Sequence, residues 1–112
     1  MVAIGDRKDI KMSVIKVNSE NFEAIKNQKK PVLLDFYADW CGPCRMISPL
    51  VEEIAEERGD IVVGKVNVDE NGELAMAFKV QYIPYIVAIK DGKIIHQSSG
   101  VKTKEQLIDM FK

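Results

Sequence analysis

Val32-Leu33-Leu34-Asp35-Phe36-Tyr37-Ala38-Asp39-Trp40-Cys41-Gly42-Pro43-Cys44 begins with a run that is apolar at both odd and even positions and ends on a closely spaced cysteine pair. Apolar residues on both alternating faces mark a central strand covered on each side, as in a layered α/β fold. Downstream, Ile47, Leu50, Val51, Ile54 and Ala55 recur at three- and four-residue spacing, with Glu52, Glu53, Glu56 and Glu57 on the other side. This predicts an amphipathic helix from Pro43 to about Arg58, ending at Gly59. Ile61 to Val68 reads as a second strand, so strand, helix and strand alternate, and a right-handed parallel crossover is the expected connection. The two cysteines fall at its first strand-to-helix turn.

Further out, Ser13 to Val17 is short and β-branched, and Ser19 is the expected N-cap of a helix over Glu20 to Gln28 that buries Phe22, Ile25 and Ala24. A short helix is expected over Gly72 to Phe78. Tyr85 to Lys90 and Lys93 to Gln97 flank Asp91-Gly92, a strong hairpin signal, so the sheet must be mixed. Thr103 followed by Gln106 forms a capping box for a terminal helix with Leu107, Ile108 and Phe111 available for packing.

The chain has 112 residues, of which 46% are hydrophobic and 29% charged, with 7 Gly and 4 Pro. That is one domain's length with an ordinary globular composition, and no repeat or low-complexity segment interrupts it. Sixteen Lys and Arg against 17 Asp and Glu give a net charge of -1. No positive field is available to hold a nucleic acid. Met1 to Ile15 lacks a continuous apolar segment of the kind an export signal needs, and Tyr82 to Ile89 is far short of the roughly 20 residues that cross a bilayer. The expectation is a cytoplasmic protein with no membrane partner.

Cys41 and Cys44 are the only cysteines. A structural disulfide over so short a loop gains about 2 kcal/mol by chain entropy, before any strain. A zinc site needs four ligands, and the one histidine, His96, lies in a strand-like segment; metal binding would have to recruit carboxylates or a second molecule. A dithiol that closes reversibly to a disulfide remains, the usual meaning of this spacing beside a βαβ pattern. Cys41, at the start of the helix, is the expected nucleophile, exposed and favoured as a thiolate by the helix end. That field contributes roughly 0.3 to 1 kcal/mol, too little alone, so hydrogen bonds to the sulfur, including one from Cys44, must supply the remainder. Cys44, one turn further in, is the expected resolving thiol. Asp35, a carboxyl inside an apolar strand, is the candidate acceptor of its proton, because burial raises a carboxyl's pKa; the bland alternative is a solvent-facing strand end.

Trp40-Cys41-Gly42-Pro43-Cys44, with the preceding strand and the following Arg45-Met46-Ile47-Ser48-Pro49, closely resembles the thioredoxin family. The resemblance spans roughly Ser13 to Lys112 and continues through Gly64-Lys65-Val66-Asn67-Val68-Asp69, Ile83-Pro84 and Gly100. It implies a thioredoxin fold: a central mixed five-stranded sheet flanked by helices, strand order 1, 3, 2, 4, 5, and a cis peptide bond before Pro84. Residues 12–112 would form the domain, and residues 1–11 an extension, expected to be disordered. The resemblance further implies a general protein-disulfide reductase with no bound cofactor, whose electrons pass through the Cys41–Cys44 disulfide and come from a thioredoxin reductase. Lys65 would modulate Asp35, and Trp40, Gly42, Pro43, Ile83, Pro84 and Gly100 would form the surface that receives disulfide-containing protein substrates. A monomer is expected.

Two departures from the family pattern stand out: Tyr37 where many members carry tryptophan, and Tyr85 where threonine is usual after the proline, near the expected docking groove. Pro49 is expected to bend its helix. Met46, Met76 and Met110 are read as packing residues, and His96 and the four glutamates as solvated. The rival assignments are an oxidase or isomerase, which the Gly-Pro dipeptide opposes, and a binding module that never turns over disulfides.

Overall fold

The β-rich runs and amphipathic segments condense into nine elements in the computed structural model, which describes residues 14–112. In chain order they are β1 (Val14–Lys16), α1 (Phe22–Lys26), β2 (Val32–Tyr37), α2 (Gly42–Glu57), β3 (Val62–Asn67), α3 (Gly72–Ala77), β4 (Tyr85–Lys90), β5 (Lys93–Ser99) and α4 (Lys104–Asp109). The strands form one sheet in the order β1-β3-β2-β4-β5. β3 pairs in parallel with β1 and β2, while β4 runs antiparallel to both β2 and β5. The sheet is mixed, as expected, and β2 lies at its centre.

Strand alternation divides the core into two layers. Val32, Leu34 and Phe36 join Val66, Val87 and Ile89 against Ile25, Leu74 and Phe78, the layer under α1 and α3. Phe78 anchors it, 5.6 Å from the Phe22 ring and 5.2 Å from Phe36. On the opposite face Leu33, Val63, Ile86 and Ala88 pack against Ile47, Val51 and Ile54 of α2 and Leu107 and Met110 of α4. Asp35 and Lys65 share the parity of Leu33 and Val63, so both lie on the α2 side, directly paired in register. Gly64 is required between the strands: a Cβ there would lie 2.6 Å from Val17 Cγ2 and 3.1 Å from Leu34 Cδ2.

Several expectations are corrected. The first helix is only Phe22–Lys26, because Asn18 and Asn21, rather than Ser19, organise the preceding turn. Asn18 Oδ1 accepts from the Glu20 and Asn21 N–H groups, and Asn21 Oδ1 accepts from the Asn18 N–H. Ala24 faces solvent. Met46 and Met76 are 66% and 79% exposed, so of the three methionines only Met110 packs in the core. Pro49 lies inside α2, where the sequence reading puts it. Glu53 and Glu57 are exposed yet engaged: Lys104 Nζ donates to Glu57 Oε1 at 2.6 Å and Glu53 Oε1 at 3.2 Å, tying α4 to α2. The expected hairpin and capping box are both present, with Asp91 and Gly92 at φ 54° and 76° and Thr103 and Gln106 exchanging hydrogen bonds. The strand assigned from Ser13 is described only from Val14; Ser13 and the extension of residues 1–11 lie outside the described residues.

Candidate active site

β2 ends at Tyr37, and the chain turns through Ala38, Asp39 and Trp40 to start α2 with Cys41 as N-cap and Pro43 in the first turn. Proline suits that turn because its missing N–H has no intrahelical partner to lose. Cys41 and Cys44 are joined by a disulfide, with Cα atoms 5.3 Å apart. The Cys44 N–H, one of the free donors at the helix start, points at Cys41 Sγ from 3.2 Å. A donor aimed at sulfur favours the anion over the thiol, adding to the helix-end field.

Cys41 is not exposed as expected: it is 4% accessible, against 3% for Cys44. Ala38 packs beside the pair, with Tyr37, Val68 and Ile83 around it. The Ile83–Pro84 bond is cis, and the Ile83 carbonyl oxygen lies 3.8 Å from Cys41 Sγ. Gly100, at φ 97°, donates its N–H to the Pro84 carbonyl at 2.8 Å, a backbone conformation that favours glycine. The structure thus brings Cys41, Cys44, Ile83, Pro84 and Gly100 into one region. Trp40 stands at its rim, 68% exposed, with Nε1 donating to Asp69 Oδ2 at 2.9 Å. Between Trp40 and Ile83 a recess of about 200 Å³ is floored by Val68, Ala75 and Val80. Gly42 and Pro43 are exposed beside the disulfide. Tyr85 does not line the recess; its ring packs edge-on against Phe36 and its hydroxyl donates to Gln97 at 2.7 Å.

Asp35 is completely buried, and neither carboxyl oxygen meets a hydrogen-bond donor among the described residues. The solvent-facing alternative is therefore excluded. Burial pushes its pKa up from 3.8 to about 7, opposed by the positive charge of Lys65. Lys65 itself reaches toward α2, where Nζ donates to Ser48 Oγ at 2.6 Å and lies 4.5 Å from the centre of the Tyr37 ring. Cys44, Ser48, Lys65 and Tyr37 line a common cavity of about 180 Å³. No local pattern marks Asp69 or Ser48: Asp69 sits 29 positions from Trp40, and Ser48 looks like one more polar position on an amphipathic helix. His96 lies on the exposed β5, away from these groups. No cluster of three or more His, Cys, Asp or Glu side chains is placed to hold a metal among the described residues.

A closely spaced cysteine pair capping a helix at the end of a central strand, beside a cis-proline, defines a thiol–disulfide oxidoreductase whose redox group is the Cys41–Cys44 disulfide. Residues 13–112 match the family described as Thioredoxin. The thioredoxin of Bacillus subtilis is 41% identical over 100 residues, covering 88% of this chain and 95% of its own. That of Alicyclobacillus acidocaldarius is 47% identical over 88 residues, covering 78% and 84%. Among solved structures, a mutant thioredoxin from Halobacterium salinarum superposes with a TM-score of 0.81 at 38% identity, covering 87% of this chain and 86% of that one. The chain belongs to the thioredoxin family and is a thioredoxin-type disulfide reductase.

Proposed function

We propose that reduction proceeds by attack of the Cys41 thiolate on a substrate disulfide, followed by resolution by Cys44. In the first step a Cys41–substrate S–S bond forms, the substrate S–S bond breaks, and the departing substrate sulfur takes a proton. Cys44, deprotonated by Asp35, then attacks Cys41 Sγ; the intramolecular disulfide forms and the second substrate thiol leaves. Two electrons pass to the substrate, and the Cys41–Cys44 disulfide is the oxidised product. The observation that carries this assignment of roles is the Cys44 N–H directed at Cys41 Sγ, which favours negative charge on Cys41. The buried Asp35 supports the proton step, because its affinity is lifted toward that of a thiol. Lys65 modulates Asp35 by its charge.

Trp40, Gly42, Pro43, Ile83, Pro84 and Gly100 form the surface on which an extended substrate segment lies, Ile83 and Gly100 through their backbones. The reduced state is restored by a thioredoxin reductase; support comes from a Mycobacterium leprae relative, 37% identical over 95% of this chain, described as a bifunctional thioredoxin reductase/thioredoxin. Electron transport of this kind belongs in the cytoplasm, with the protein acting as a monomer. The balanced charge offers no attraction to nucleic acid, and no helix among the described residues is long and apolar enough to cross a membrane.

The first test is the dithiol–disulfide midpoint potential, obtained by equilibrating the protein in defined redox buffers and labelling free Cys41 and Cys44 for a mass shift. A two-electron transition on the reducing side of glutathione is expected. A transition on the oxidising side would move the assignment to oxidase or isomerase. Retention of function by the Cys41→Ser, Cys44→Ser double variant would point to a binding module instead.

A further inference from the structure

Lys65 and Asp35 are paired in register on adjacent parallel strands and face the same side of the sheet, yet no ion pair joins them. A buried carboxylate without a donor is the strongest attractor an ammonium group can meet in a low-dielectric interior, so something must hold Lys65 elsewhere. Two groups do. Ser48, one helical turn beyond Cys44, accepts from Lys65 Nζ at 2.6 Å, and its own hydroxyl faces Glu52 Oε2, 3.5 Å away. The Tyr37 ring lies under the same ammonium at 4.5 Å. The charge is thereby drawn into the cavity that Cys44 also lines.

We propose that Ser48 is a positioning residue: its hydroxyl, with the Tyr37 ring, holds the Lys65 ammonium beside Cys44 and off Asp35, leaving the buried carboxyl free to exchange a proton. A direct ion pair would lock Asp35 as a carboxylate and remove it from proton traffic. Other charged groups surround the ammonium. Glu52 and Glu56 of α2 and Lys16 of β1 line an adjoining cavity with Lys65, while Asp39 and Arg45 lie at the mouth on the Cys44 side. β4 contributes the apolar Ile86 opposite Asp35. Glu52 and Glu56 are exposed, so on loss of the Ser48 hydroxyl the desolvated carboxyl of Asp35 is the stronger destination for Lys65.

The inference rests on Asp35 as proton acceptor, and its test is separable from that role. The Asp35 carboxyl is titrated by carbon NMR in the oxidised full chain, where neither cysteine titrates. Ser48→Ala should lower the midpoint by about one pH unit, a tenfold loss of proton affinity, as a cation brought into contact with a carboxylate does. Ser48→Thr, which keeps the hydroxyl, should restore the parent midpoint. In a Lys65→Met background Ser48→Ala should have no effect, an outcome that a general loosening of the helix would not give. A midpoint in Ser48→Ala that stays put or rises, or one that falls equally without Lys65, overturns the proposal. If Asp35→Asn leaves the resolving rate unchanged, the proton role of Asp35 fails while the titration still judges Ser48.

Discussion

Replacing Asp35 by Asn should stabilise the oxidised protein at neutral and alkaline pH and leave it nearly unchanged in acid. The carboxyl is fully buried without a donor, and its pKa moves from 3.8 to about 7 on folding. At about 1.4 kcal/mol per pH unit, that difference costs the folded state about 4 kcal/mol once the group is ionised. Between pH 4 and 7 the folded chain keeps a proton that the unfolded chain has lost, so unfolding free energy falls as pH rises. Below pH 4 both states are protonated and the penalty is absent; above pH 7 it is complete and constant. Asn has nearly the same shape, no charge at any pH and a comparable polar burden in the same apolar site. The difference between parent and Asp35→Asn should therefore be small at pH 3.5, grow through the interval, and level off near 4 kcal/mol by pH 8.5. Urea unfolding at closely spaced pH values, with the disulfide intact so that no thiol contributes, provides the measurement. A difference independent of pH would refute the claim that Asp35 is buried with a raised proton affinity.

Cys44→Ser should accumulate a mixed disulfide with a protein substrate, seen as a mass addition released by dithiothreitol, whereas Cys41→Ser should form none; the opposite pattern would reverse the roles. Gly64→Ala should cost about 1–3 kcal/mol in denaturant unfolding, because its methyl would press on the fully buried Val17 and on Leu34; an unchanged midpoint would show that the strands can part at no cost. Asp69→Ala should release the Trp40 indole and lower kcat/KM on protein disulfides by up to about tenfold while leaving a small disulfide such as dithiobisnitrobenzoate unaffected. An equal loss on both substrates would place Asp69 in the chemistry rather than in docking.

The parts of the fold that follow one strong period were legible in the sequence. β2 spans Val32–Tyr37 as read from its two-sided apolar run, and α2, from Gly42 to Glu57, departs from its predicted limits by one residue at each end. Ser19 is a good cap in isolation, so the local pattern extends the first helix too far; two asparagines three residues apart satisfy each other's backbone and delay its start. Met46 and Met76 read as packing residues because methionine is apolar, but α2 and α3 turn those positions outward. At the site, Asp35 stood out because a lone carboxyl in an apolar strand violates the local pattern. Ser48 and Asp69 violate nothing; each acquires its role from a side chain at least 17 residues away, a separation that no local pattern records.

The cost of burying Asp35 and its proposed use have the same magnitude. An unperturbed thiol near pKa 8.5 would give its proton to an ordinary carboxylate at 3.8 only against about 6 kcal/mol. With the acceptor lifted to about 7, the opposing free energy falls to about 2 kcal/mol, small beside a typical activation barrier. The gain of about 4 kcal/mol for proton transfer is the stability lost to the buried charge. Such a shift comes from burial, and β2, flanked in the sheet by β3 and β4, buries Asp35 completely on the side that faces α2. The exposed glutamates of α2 have no comparable desolvation, however near the disulfide they lie along the chain. Placing the dithiol at the end of the central strand thus puts Cys44 in the same layer as the one carboxyl in the described core whose proton affinity the fold has raised.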